Sequence, residues 1–296
     1  MTPQPMTAMT LRPGQDSTPP EAARTPRVRS FGLTDRGRKR ETNEDQFLIA
    51  ALTTSLRVQQ SSVPQSATQY APESGSLLVV ADGMGGHAAG ERASALALST
   101  IERFLLDTLR WVFTLDEPAT GGALAELKAA LERADARVCE AARRDPRLTG
   151  MGTTVTMAFS LGHQAYLAHV GDSRCYLFRS GRLHQLTRDH TLVGEMLQSG
   201  SLTAEAAANH QLRHVITNCV GGGAPGVRTE VHTLEVQAGD VLLLCTDGLT
   251  EMLGDEAIAS VLASNPEPRF DCEELVRLAN AAGGRDNVTV VVAKHE

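Results

Sequence analysis

The stretch TTVTMAFSLGHQAYLAHVGDSRCYLFR (residues 153–179) contains three successive runs rich in apolar and β-branched residues. They cover 153–160, 164–170 and 174–179, and each is typical of a β-strand. Short turns follow the runs, including Ser180-Gly181, which directly follows the third. Strands that succeed one another so closely pair as antiparallel hairpins, because a parallel pair needs a much longer connection.

Further strand-type runs lie on both sides of this stretch, at 44–50, 77–81, 229–236, 241–246 and 288–293. Helical periodicity fits 88–109, 123–144, 191–198, 203–209, 255–263 and 271–282. The helices come in pairs rather than one after every strand, which excludes a regular βαβ repeat. The pattern therefore predicts an α/β protein of the α+β type, built as an antiparallel-sheet sandwich with helices.

Composition excludes several classes of function. The chain has 296 residues with 28 Lys and Arg against 35 Asp and Glu, a net charge of −7. An acidic chain without a long basic run does not favour nucleic-acid binding. No apolar run approaches the ~18–20 residues of a membrane span, and the first residues lack the apolar segment of a secretory signal. Five scattered cysteines form no CxxC pair and no even disulfide framework, which favours a reducing cytoplasm.

The chain is predicted to be one domain with a tail. Residues 1–28 are interpreted as a flexible segment, because the region is rich in proline and poor in large apolar side chains. Residues 29–296 form the predicted domain. Within it, residues 53–75 are rich in Gln, Ser and Pro without periodicity, which predicts a long polar loop between two strands.

Acidic residues recur beside the predicted strands. The positions are Asp82 after LLVVA, Asp247 after VLLLCT, Asp172 after AYLAHVG, Asp286 before the run VTVVVA, and Glu44-Asp45 before QFLIA. If they converge at one sheet edge, their carboxylates repel one another unless a cation neutralises them. Oxygen ligands suit Mn²⁺ or Mg²⁺, whereas no Cys/His spacing supports zinc. Aspartates at strand ends are also common turn residues, so spacing alone leaves both interpretations open.

Two basic side chains complete the set of candidates. Arg40 stands just before the Glu44-Asp45 strand, and its guanidinium could hold two phosphate oxygens or simply be solvated. His87 stands at the predicted start of the helix after Asp82, which suits either a structural polar group or a general acid. Gly83 allows close approach of the backbone, and its carbonyl could face an ion at Asp82. A dinucleotide fingerprint is disfavoured there, because a second helix rather than a parallel strand follows the first.

Eight short motifs resemble, in order, those of the bacterial metal-dependent Ser/Thr protein phosphatases of type 2C (the PPM family). They are GRKRETNEDQF, VVADGMGGHAAGE, GTTV, HVGDSRCYLF, LTRDHTL, HVITNCVGG, LLLCTDGLTEML and GGRDNVTVVV, and they extend over residues 29–296. The resemblance implies a four-layer αββα fold, in which two antiparallel sheets are flanked by helix pairs. It also implies two Mn²⁺ or Mg²⁺ ions, with a weaker third in bacterial members.

The resemblance assigns a role to each candidate residue. Asp82 is similar to the carboxylate that bridges both ions, Gly83 to the carbonyl ligand, and Asp247 and Asp286 to the remaining carboxylate ligands. Glu44 and Asp45 match an acidic pair that binds an ion through water or lies behind the ligating residues without contacting the ion. Asp172 matches a ligand of the third ion. Arg40 resembles the arginine that binds substrate phosphate. Residues 191–214 resemble a mobile flap.

Two positions depart from the family pattern. Glu251 stands where some members have an aspartate, which puts the geometry of a third ion in doubt. Met84 stands where some members have a histidine directly after the Asp-Gly pair, which weakens the assignment of His87 as general acid.

The implied activity is hydrolysis of phosphoserine and phosphothreonine on proteins, including a cognate kinase or its substrates, by a monomer that binds neither nucleic acid nor membrane. The alternatives are a phosphoprotein-binding pseudophosphatase and a phosphatase for small phosphate esters.

Overall fold

The computed structural model describes residues 27–57, 68–85, 89–108, 120–208, 210–223 and 226–296. Within these residues the strands form two antiparallel sheets. The first sheet runs, in spatial order, β1 (Val28–Asp35), β12 (Val288–His295), β11 (Val241–Cys245), β7 (Arg174–Arg179) and β8 (Arg182–Gln185). The second runs β10 (Glu230–Glu235), β6 (Gln164–Val170), β5 (Val155–Leu161), β3 (Thr68–Met84) and β2 (Asp45–Arg57), with the short strands β4 (Gly152–Thr153) and β9 (Val220–Gly221) at one end.

Helices cover the outer face of each sheet. The second sheet carries α1 (Ala89–Thr108) and α2 (Thr120–Arg144), and the first carries α6 (Asp255–Ser264) and α7 (Pro268–Ala281). Shorter helices are α3 (Leu192–Gln198), α4 (Ala204–Ala208), α5 (Asp247–Thr250) and a 3₁₀ turn at Pro146–Leu148. Among the described residues, no helix has both the length and the hydropathy to cross a membrane.

The central strands are apolar on both faces because both faces are covered. In β3, Leu77 and Val79 pack with α1 and α2, whereas Leu78 and Val80 face the other sheet. All four side chains are almost completely buried. Successive side chains of a strand point to opposite faces, so a continuous apolar run requires a layer on each side. The αββα sandwich predicted from the sequence is confirmed.

Two edge strands were not predicted from the sequence. Strand β1 was missed: Val28, assigned to the tail, pairs with His295, and Arg29 forms ion pairs with Glu267 and Glu296. Strand β8 was also missed. These edge pairings are decided by distant chain segments, which local periodicity does not reveal.

The predicted loop at 53–75 was wrong at both of its ends. Residues 53–57 extend β2 and residues 68–75 belong to β3, so this part of the chain is a long hairpin. Backbone pairing between two arms of a hairpin needs no apolar periodicity, and the polar composition therefore misled the prediction. Residues 58–67, and the tail up to residue 26, lie outside the described residues.

Candidate metal and phosphate site

The predicted acidic residues meet at one end of the sandwich. Asp45 opens β2 and pairs directly with Asp82 near the end of β3. Asp247 follows β11 and Asp286 precedes β12, and these strands are antiparallel neighbours, so the end of one lies beside the start of the other. Asp172 lies in the turn by which the chain passes from β6 in one sheet to β7 in the other. Strand pairing thus brings together positions far apart in sequence.

A cavity of about 650 Å³ opens over this end of the sandwich. Its lining includes Arg40, Glu44, Asp82, Gly83, Asp172, Asp247 and Asp286. We call it the metal pocket. Asp45 is not part of the lining: it is 2% exposed, and its Oδ2 accepts hydrogen bonds from Thr246 (2.8 Å) and Thr289 (2.7 Å). Asp45 therefore supports the pocket from behind, as expected for a residue that does not contact an ion directly.

Without cations, the surroundings favour the protonated form of three carboxyl groups of the pocket, those of Asp82, Asp172 and Asp247. Burial raises the pKa of Asp247 to about 6, and the nearby carboxylates of Asp286 and Glu251 raise it further. Burial and the charge of Asp247 likewise raise the pKa of Asp172 to about 8. The pKa of Asp82 is shifted well upwards by burial and then by Asp45 and Asp247. The cluster therefore has a strong electrostatic demand for positive charge.

An unpartnered oxygen atom indicates that divalent cations fit this pocket. Oδ1 of Asp247, which lines the pocket, is buried and accepts no hydrogen bond within the described residues. A buried carboxylate oxygen without a partner is costly, so each such atom calls for a ligand. The donor set is all oxygen, which suits hard ions such as Mg²⁺ and Mn²⁺.

Gly83 is required by close packing at the start of α1. A Cβ at this position would lie 2.2 Å from the carbonyl oxygen of Gly90 and 2.7 Å from that of Glu44. The amide of Gly83 donates to the same Glu44 carbonyl (3.3 Å). Only glycine therefore lets β2, β3 and α1 approach closely enough to complete this wall of the pocket. In the same wall, burial raises the pKa of the Glu44 side chain, whereas the charge of Arg40 lowers it.

Arg40 lies at the mouth of the metal pocket. Its side chain is 56% exposed, and its guanidinium makes an ion pair with Oδ2 of Asp286 at 2.5 Å. An exposed guanidinium over a site of divalent cations is well placed to meet a phosphate. Arg40 therefore lies beside the acidic cluster, and its role as the ligand of substrate phosphate stays a prediction.

Asn287, which was not among the predicted site residues, organises the loop that carries Arg40. Its side-chain oxygen accepts from the amide of Glu44 (2.8 Å), and its amide group donates to the carbonyls of Arg36 and Thr42 (both 2.9 Å). Thr246 and Thr289 were missed in the same way. The sequence could have indicated these residues by their position, because Thr246, Asn287 and Thr289 each lie within three residues of Asp247 or Asp286.

Glu251 lines the metal pocket and contacts the C-terminal end of the segment 191–214. Its carboxylate lies 3.3 Å from the guanidinium of Arg213 and 3.7 Å from Nδ1 of His214. The segment begins with Thr191, whose hydroxyl accepts from the amide of Gly194 and caps α3. His87, the candidate general acid, lies outside the described residues.

A second group of ligand-type side chains, His169, His190 and Glu230, lies away from the metal pocket. Its polar atoms already have partners. His169 Nε2 bonds the carbonyl of Arg188 (3.0 Å), and Nδ1 of His190 accepts from the amide of Gly171 (3.1 Å). Burial lowers the pKa of His169 to about 4, which keeps its ring neutral. The group is therefore a structural network.

Comparison with known proteins gives consistent matches. The family model described as Protein phosphatase 2C matches residues 57–280. Serine/threonine protein phosphatase PstP of Mycobacterium tuberculosis is 42% identical over 217 residues, covering 73% of this chain and 40% of PstP. Protein phosphatase PhpP of Streptococcus pneumoniae is 34% identical over 261 residues, covering 88% of this chain and 94% of PhpP. The chain thus spans less than half of PstP but nearly all of PhpP.

Solved structures share the fold. The crystal structure of the M. tuberculosis phosphatase PstP has a TM-score of 0.72 and 35% identity, covering 91% of this chain and 99% of that one. The catalytic domain of PstP in complex with 2 manganese ions has a TM-score of 0.70 and 35% identity, covering 90% and 98% of the two chains.

Proposed function

Because the chain belongs to the protein phosphatase 2C family, we propose that it hydrolyses phosphoserine and phosphothreonine on proteins with the help of divalent cations. The observation that carries this proposal is the convergence of Asp82, Asp247 and Asp286 with Arg40 around one cavity. Carboxylates supply cation ligands and the guanidinium supplies a phosphate ligand, which are the two needs of a phosphomonoester site.

The residues that would hold two Mn²⁺ or Mg²⁺ ions are Asp82, Asp247, Asp286 and the carbonyl of Gly83, with Glu44 acting through water. When bound, the ions supply positive charge that polarises the phosphoryl group and acidifies water for attack on phosphorus. Asp45 keeps its place behind them through its hydrogen bonds to Thr246 and Thr289. Asp172 is the candidate ligand of a weaker third ion. If Glu251 also bound that ion, its carboxylate would have to give up its contact with Arg213.

Arg40 neutralises and orients the phosphoryl oxygens in this proposal. It pairs with Asp286 at 2.5 Å, and cations bound by Asp286 would compete for that carboxylate and leave the guanidinium available to substrate. Its charge would bind phosphate in the ground state and stabilise the transition state alike. Protonation of the leaving alkoxide by His87 stays a prediction.

The partners we propose are phosphorylated proteins, including a cognate Ser/Thr kinase or its substrates, acted on by a monomeric enzyme. A cytoplasmic location is supported by the five cysteines, which are all free thiols.

The experiment compares a phosphothreonine peptide and p-nitrophenyl phosphate as substrates, with Mn²⁺ and with excess EDTA. We expect turnover of both that requires Mn²⁺, and a loss of ~10²-fold or more in kcat for Asp247→Asn. Asp255→Asn, an exposed residue at the start of α6, is the matched control and should retain full activity.

Each alternative gives a different result. A pseudophosphatase would bind the peptide without hydrolysing it, and a small-ester phosphatase would hydrolyse p-nitrophenyl phosphate alone. Full activity of the wild type in EDTA would refute the role of the carboxylates.

A further inference from the structure

A larger cleft of about 1340 Å³ adjoins the metal pocket on the side of α3. Arg213, Glu251 and Arg285 line both cavities, so the two spaces are continuous. We call the larger one the side cleft; its charged lining residues are Arg174, Arg188, Asp189, Glu195, Arg213, Arg228, Glu230, Glu251 and Arg285. A phosphoryl group in the metal pocket would therefore have its attached chain beside an open, polar channel.

Most of the charges in the side cleft are paired with one another. Arg174 makes two hydrogen bonds to Asp189, at 2.8 and 2.6 Å. Arg213 pairs with Glu251 at 3.3 Å, and Arg228 pairs with Glu195 at 3.2 Å. These pairs leave little net charge for a ligand to recognise.

The fourth acid of the side cleft, Glu230, is occupied by histidines. It contacts Nε2 of His190 at 3.3 Å and Nε2 of His232 at 2.5 Å. Although burial opposes it, these hydrogen bonds hold the pKa of Glu230 at about 2. Glu230 is therefore ionised and engaged, and its carboxylate makes no ion pair with an arginine among the described residues.

Arg188 and Arg285 are the remaining cations. Both side chains are exposed, and neither guanidinium forms an ion pair with any described residue. The lining of the side cleft holds five arginines and four acids, a net charge of +1 in a chain of net charge −7, and the exposed guanidiniums of Arg188 and Arg285 present this positive charge to a ligand. Such an excess attracts anionic groups and repels basic ones.

The backbone at both arginines is held in place. The amide of Arg188 donates to Oε2 of Glu230 (3.4 Å), and its carbonyl accepts from His169. Arg285 lies between Gly284, whose carbonyl accepts from the amide of Arg38 (2.7 Å), and Asp286 of the metal pocket. Anchored backbones reduce the ordering entropy that a bound ligand must overcome.

We propose that the side cleft binds the residues flanking the phosphorylated side chain and that Arg188 and Arg285 select substrates with acidic flanks. The acidic group is a carboxylate or a second phosphate a few residues from the one hydrolysed. This inference rests on the proposed function and specifies its substrate class. A peptide is favoured over a free small anion because the cleft is continuous with the metal pocket and about twice its volume.

The test measures kcat/KM of the Mn²⁺-loaded full chain on phosphothreonine peptides that carry one Glu, one Gln or one Lys at successive positions on either side. We expect a preference for Glu over Lys at one or more positions, and a smaller preference at high salt because exposed charges are screened. Arg188→Glu and Arg285→Glu should each lower the Glu-to-Lys ratio by about two- to five-fold, the range of exposed ion pairs.

Arg182→Glu is the matched control, because it reverses the charge of another exposed arginine that does not line the side cleft. Its Glu-to-Lys ratio should equal that of the wild type. Arg188→Gln and Arg285→Gln replace the reversals if either lowers the melting temperature.

A ratio that is the same in the wild type and both cleft variants, with the Gln peptide still hydrolysed, would overturn the inference and leave the proposed function standing. Equal falls in Arg182→Glu and in the cleft variants would also overturn it, because net charge rather than the cleft would be responsible. A wild type that hydrolyses no phosphopeptide would remove the proposed function and the inference with it.

Discussion

The metal-free protein should become less stable, relative to an Asp247→Asn variant, as the pH rises through the acidic range. Burial raises the pKa of Asp247 from the ordinary 3.8 to about 6. Between these values the folded protein holds a proton that the unfolded chain has lost. Unfolding then releases a proton, so the contribution of Asp247 to stability falls as pH increases.

The size of the effect follows from the shift in pKa. A difference of roughly two pKa units corresponds to about 3 kcal/mol in the free energy of unfolding, reached in full above pH 6. The raised pKa values of Asp45 (about 7) and Asp172 (about 8), both caused first by burial, extend the decline toward pH 8. Their protons are not independent of Asp247, so the three contributions do not add.

The assay is urea or thermal unfolding in EDTA at pH 4, 5, 6 and 7. Asp247→Asn should gain roughly 3 kcal/mol relative to wild type across this range, a shift of about 6–12 °C in melting temperature for a domain of this size. The comparison of the two proteins cancels the contribution of groups whose effect on stability has the opposite pH dependence. His169 is one such group: burial lowers its pKa to about 4, so its contribution to stability increases as the pH rises. Glu102→Gln, which removes an exposed carboxylate on α1, should follow the wild type at every pH.

Addition of Mn²⁺ should reverse the difference at pH 7. An ion at 100-fold its dissociation constant stabilises the folded state by about 2.7 kcal/mol, and the variant should gain less than the wild type. The reasoning is refuted if metal-free Asp247→Asn is no more stable than wild type at pH 7, or if Mn²⁺ stabilises both proteins equally.

Three further outcomes are expected. Arg40→Ala should chiefly raise KM, by the equivalent of roughly 1.5–3 kcal/mol for a charge-assisted contact; unchanged KM and kcat would place Arg40 with solvated neighbours such as Lys39. Deletion of residues 1–25, a polar and proline-rich segment before β1, should leave specific activity and melting temperature nearly unchanged, and a drop beyond about 5 °C would show that the segment packs on the domain. Amide hydrogens of 191–214 should exchange faster than those of β11 and of residues 77–81 in β3, because these strands are fully paired and buried; equal protection would make the segment a fixed connection rather than a flap.

Much of the fold could be predicted because burial gives each strand and helix a recognisable pattern of apolar residues. The runs at 77–81 and 288–293 are apolar without alternation, which is what a strand covered on both faces requires. Paired helices excluded a parallel sheet. By contrast, the outer part of the β2–β3 hairpin depends on backbone pairing, which any side chains can accompany, and its polar sequence therefore gave no signal. In β1 the apolar residues Val28, Phe31 and Leu33 are too few to indicate a strand without its partner β12.

The sequence by itself determined which chemistry is available: acids at strand ends, an arginine before β2, and glycines where the backbone must approach closely. Only the tertiary structure decided how these groups are used. Asp45 and Asp82 become neighbours through strand pairing, and Asp45 is withdrawn behind the pocket by Thr246 and Thr289. Glu251 pairs with Arg213 where the two cavities meet, and the guanidiniums of Arg188 and Arg285 are left without acidic partners among the described residues. Composition cannot reveal such pairings, because the energy of a charge depends on burial and on neighbours within a few ångströms, which are set by contacts between distant parts of the chain.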